Sequence, residues 1–139
     1  MRLAVLFVVA LAACQSAPTG PVSTGLADAA SMHVFSVVTG DDRTAHIPLT
    51  MGYTVRLSGK LYTHAGREIT PPLHPVDMTF TIAPSTLANA VIADSTLLLF
   101  DLTPAAPPGA DGSLTITLTE SATGTVKSFG PFYILVHPR

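Results

Sequence analysis

Tryptophan is absent, cysteine occurs once, and charged side chains make up only 12% of the 139 residues. Each shortage removes a class of function. A lone cysteine, Cys14, permits no disulfide within the chain and no thiolate pair for a structural metal. The net charge is −2 and no basic run exists, so the electrostatic footprint of a nucleic-acid binder is missing. No serine stands in a Gly-x-Ser-x-Gly elbow, and no glycine-rich phosphate loop follows a strand pattern. Asp41, Asp42, Asp94, Asp101 and Asp111 are scattered, whereas a calcium loop needs several oxygen ligands close together. Hydrolysis, nucleotide chemistry and calcium binding are thus disfavoured, and the chain reads as a non-enzyme.

What is present is apolar and β-branched. Hydrophobic residues make up 47%, and there are 18 threonines, many alternating with apolar residues. Threonine stiffens χ1 and suits the solvent face of a strand. The length suits one domain with one core.

The N-terminus has Arg2 followed by an apolar run from Leu3 to Ala13. A membrane-spanning helix needs about 20 residues, so this run is too short to span and has the length of a signal h-region. It ends in Leu11-Ala12-Ala13-Cys14, which resembles a bacterial lipobox. The resemblance implies removal of residues 1–13 and lipidation of Cys14. Gln15 is not the aspartate that marks inner-membrane retention in enteric lipoproteins, so an outer membrane is favoured where the cell has one. Residues 14–31 then form the lipidated cysteine and a flexible tether rich in Ser, Thr, Pro, Gly and Ala.

From Met32 to Arg139 the pattern is that of short strands. In Tyr53 to Tyr62 the residues Tyr53, Val55, Leu57, Gly59 and Leu61 share one face, opposite Arg56, Lys60 and Tyr62. Met78, Phe80 and Ile82 alternate with polar residues, as do Leu114, Ile116 and Leu118 with three threonines. Thr96 to Leu102 reads as a central strand, and Pro48 marks an edge. Gly130-Pro131 is expected to break the last segment, leaving Phe132 to His137 as a strand buried in part on both faces. About seven or eight such strands separated by turns predict an all-β, immunoglobulin-like antiparallel sandwich. Gly52-Tyr53-Thr54-Val55-Arg56-Leu57 with Ala65-Gly66, and Phe80 with Ser85-Thr86-Leu87-Ala88, resemble bacterial Ig-like domains of surface proteins. That resemblance implies the architecture alone, since the buried tryptophan and cysteine pair of antibody domains are lacking.

Two readings of function follow. The first is a lipid-anchored extracytoplasmic binding or structural module of the cell envelope, held on the membrane and meeting an envelope protein or polymer. The second is a periplasmic lipoprotein that handles zinc or copper through His46, His64, His74 and His137, with Met78 as a thioether for copper(I). On the first reading no cofactor is called for. No two of these histidines have the close spacing of a helical turn or tight hairpin, so only the fold can bring them together.

Overall fold

The computed structural model describes residues 25–70 and 75–139; Cys14 and His74 lie outside them. After a 3-10 turn at Leu26–Asp28 come β1 (Ser31–Ser36), β2 (Ile47–Thr50), β3 (Val55–Tyr62) and the two-residue β4 (Glu68–Ile69). They are followed by β5 (Val76–Ala83), β6 (Ala88–Asp94), β7 (Leu99–Pro104), β8 (Asp111–Glu120) and β9 (Val126–His137). One sheet has the order β1-β3-β7-β6, with β4 added to β3, and the other has the order β2-β9-β8-β5. With β2 and β4 set aside, this is the A-B-E-D and G-F-C order of the immunoglobulin constant-type sandwich. The all-β sandwich is as expected, and the ninth strand is the short β4.

Alternation builds the core. Met32 and Val34 of β1, Ile47 and Leu49 of β2, Leu57 and Leu61 of β3, and Leu114, Ile116 and Leu118 of β8 are all buried. Each large aliphatic buried in this way stabilises the fold by about 1.5–3 kcal/mol before entropy is counted. Phe80, on the edge strand β5, is only partly buried, its ring 5.2 Å from that of the fully buried Phe100. Tyr53, expected to point inward, is 52% exposed because β3 begins two residues later.

The last strand corrects the expectation at Gly130-Pro131. It runs unbroken from Val126 to His137, with Leu114 opposite Phe132 and Ile116 opposite Phe129. Gly130 and Pro131 together therefore oppose one residue, Thr115, which is a β-bulge. The extra residue brings Phe129 and Phe132, three apart in sequence, onto the same buried face. Gly130 adopts φ 121°, and a Cβ there would lie 2.7 Å from the Leu114 carbonyl oxygen, so only glycine fits. Pro131 falls in the bulge, where no ladder donor is required. Beyond it burial is one-sided: Phe132, Ile134 and Val136 are buried while Tyr133 is exposed. Residues 95–98 also differ from expectation, forming a turn in which Leu98 has φ 52°, so β7 starts at Leu99.

The folded body starts before Met32. Leu26 and Ala29, assigned by composition to the tether, are each 1% exposed within the core. Lys127 Nζ donates to the carbonyls of Ala27 and Ala29 at 2.7 and 2.6 Å. The buried Glu120 carboxylate accepts from Thr123 Oγ1 at 2.6 Å and from the Leu26 amide at 3.5 Å. The β8–β9 hairpin thus holds the segment by which the chain enters the sandwich.

Candidate functional site

β2 pairs in parallel with the end of β9, Ile47 opposite Ile134 and Thr50 opposite His137. Since Ile47, Leu49, Ile134 and Val136 point into the core, the alternate residues line the outer surface of this sheet. His46, just ahead of β2, is thereby carried to β9. Its ring centroid lies 5.6 Å from that of Tyr133 and 6.1 Å from that of His137, the two imidazoles inclined at 65°. Tyr133 and His137 are four residues apart on one strand, roughly 13 Å along it, so His46 lies between them. Its Nε2 is shielded from solvent and has no hydrogen-bond partner among the described residues. On the same face Tyr133 donates its hydroxyl proton to Asp111 Oδ2 at 3.1 Å. That hydrogen bond holds the phenol above its ordinary pKa, with burial and the Asp111 charge adding to it.

The other residues suggested for metal are placed differently. His64 is exposed in the turn between β3 and β4. β3 leaves from the end of the sandwich where Met51 N meets the His137 carbonyl at 3.1 Å. Its eight residues carry the chain about 26 Å away before His64, so His64 sits at the opposite end from His137. Met78 is 3% exposed and is the one residue of β5 buried in the core, which removes it as a ligand on the surface. Among the described residues no group of three or more His, Cys, Asp or Glu side chains is placed to hold a metal ion.

The sequence reading passed over a second cluster, on the outer face of β1 and β3. His33 is in ring contact with Tyr62 at 4.9 Å and with Phe35 at 6.4 Å, and it meets Asp42 Oδ2 at 3.5 Å. Lys60 lies over the Phe35 ring at 5.3 Å and within 3.7 Å of Glu68. Alternation was the available signal: with Met32 and Val34 inward, His33 and Phe35 had to face outward, beside Lys60 and Tyr62. Among the described residues no helix is long and apolar enough to cross a membrane.

No protein-family model matches the chain, and no curated protein matches it.

Proposed function

We propose that this chain is a lipid-anchored module of the bacterial cell envelope, an immunoglobulin-like domain that binds or braces an envelope protein or polymer. The observation that carries the reading is the sequence Leu11-Ala12-Ala13-Cys14, closing an apolar run too short to span a bilayer. Support comes from the way the body is entered. Leu26 and Ala29 are seated in the core, so at most ten residues, 15–24, separate Cys14 from the body, a reach of no more than about 40 Å. A module on so short a tether works close to its membrane, facing partners in or next to it. Its outer faces carry shallow aromatic and imidazole clusters, a surface suited to binding.

Replacing Cys14 tests this directly. The wild-type chain should partition with membranes after a high-salt wash and incorporate labelled fatty acid. Cys14→Ser should lose both, because no other thiol exists in the chain. A Cys14→Ser chain that stays on washed membranes to the wild-type extent would overturn the reading.

A further inference from the structure

We propose that His46 and His137 form a two-imidazole site for a single copper(II) or zinc(II) ion on the outer face of the β2–β9 pair. The inference is independent of the lipid anchor, since both residues belong to the folded body. Imidazole suits zinc and copper, and a zinc–nitrogen bond is about 2.0–2.1 Å. Two imidazoles sharing one ion through such bonds have centroids roughly 4.5–6.5 Å apart for ligand angles between 90° and 180°. The observed 6.1 Å lies within that window, and the 65° inclination keeps the rings from stacking face to face.

The second support is His46 Nε2, shielded from solvent and without a hydrogen-bond partner among the described residues. A buried nitrogen left unpaired is costly, and a metal bond satisfies it as a hydrogen bond would. The neighbours decide the ligand set. Tyr133 flanks His46 at 5.6 Å, yet its hydroxyl is turned to Asp111, to which it donates, so it contributes a wall to the site and no ligand. The Asp111 carboxylate adds negative charge on the same face, which favours a cation. The pair therefore supplies two nitrogens to the ion. Copper(II) should bind more tightly than zinc(II), following the Irving–Williams order.

The test uses the untagged full chain in detergent carrying Cys14→Ser, which takes the one thiol out of competition. Equilibrium dialysis against copper(II) or zinc(II) should give one ion per chain. Ion at a hundredfold excess over its Kd should raise Tm by about 10 °C. His46→Asn and His137→Asn should each weaken binding at least tenfold and abolish the Tm shift. His64→Asn and His74→Asn should leave both unchanged. Because His46→Asn could unfold the chain, the copper(II) electron paramagnetic spectrum of the unsubstituted site gives a second readout, with coupling to two nitrogens expected. Absence of stoichiometric binding, binding that survives loss of His46 or His137, loss on changing His64 or His74, or a spectrum with oxygen ligands alone would each overturn the assignment.

Discussion

Asp42-Arg43-Thr44 and Asp94-Ser95-Thr96 are the same short motif at the two edges of one sheet, and they do different things. In both, the aspartate Oδ1 accepts from the threonine amide two residues on, at 2.8 and 2.9 Å. At β6 the motif closes on itself: Thr96 Oγ1 donates back to Asp94 Oδ1 at 2.6 Å. At β1 the Thr44 hydroxyl has a second role beyond its own turn: it accepts from the Val34 amide at 2.9 Å. The loop around it also meets the edge backbone, Arg43 N on the Val34 carbonyl at 2.7 Å and Ser36 N on the Asp41 carbonyl at 2.9 Å. So β1 is covered. β6 pairs with β7 alone among the described residues, and Val91 and Ile92 are 63% and 43% exposed. Its protection is the register shift between Ile92 and Asp94, which interrupts the ladder. Local sequence makes the turn in both places; the path of the flanking chain decides whether it seals an edge.

The largest effect should come from the strand between these edges. Phe100 of β7 lies opposite Leu57 of β3 and Ile92 of β6, and is fully buried. Phe100→Ala should cost about 3–5 kcal/mol, read by urea unfolding, because the cavity opens between both sheets. It should lower both edges together in one transition. A loss confined to faster exchange of β6 amides, with global stability kept, would show that the open edge is a separate unit.

A smaller pair of changes addresses the edges themselves. Thr44→Ala leaves the amide of the buried Val34 without its acceptor and should cost about 1–3 kcal/mol. Thr96→Ala removes only bonds inside an exposed turn and should cost roughly 0.5 kcal/mol. Equal losses in thermal melts of the two variants would erase the distinction between a sealing turn and a self-contained one.

Much of the sandwich was legible in the sequence because its strands are amphipathic. The alternation of Leu114, Ile116 and Leu118 with threonine placed β8 correctly, and Leu57 and Leu61 did the same for β3. The same period misled at Gly130-Pro131. An insertion of one residue reverses the face of everything after it, and a period-two reading has no way to count a bulge. Leu26 was missed because a single leucine among Gly, Ala and Asp has no periodicity to expose it. The histidines show the deeper limit. His46 and His137 are 91 residues apart in the chain and meet only through a parallel strand pairing, which leaves no local spacing to read. Met78, by contrast, was already committed inward, because it shares a face with Phe80 and Ile82 and alternates with Asp77, Thr79 and Thr81.

The smallest expected effect is the response of the two turns to acid. The Asp42 carboxyl is held below the usual carboxylate range, first by the Thr44 hydroxyl and then by the Thr44 amide, with His33 adding to it. The Asp94 carboxyl is lowered chiefly by the Thr96 hydroxyl. In the unfolded chain each titrates near 3.9, so folding favours the ionised form. Their stabilisation is complete above that value and is lost as pH falls through the lower folded value, below about pH 4. Both groups are exposed, so the change in global stability is slight. Its location should differ. Protonating Asp42 loosens the turn that presents Thr44 to β1, so the Val34 and Ser36 amides should exchange faster below about pH 4, after correction for intrinsic rates. Asp42→Asn should flatten that dependence, while Asp94→Asn should leave it intact. If the acid response at Val34 persists in Asp42→Asn, the cover on β1 is held by the backbone bonds of Arg43 and Ser36, and the carboxylate has no part in it.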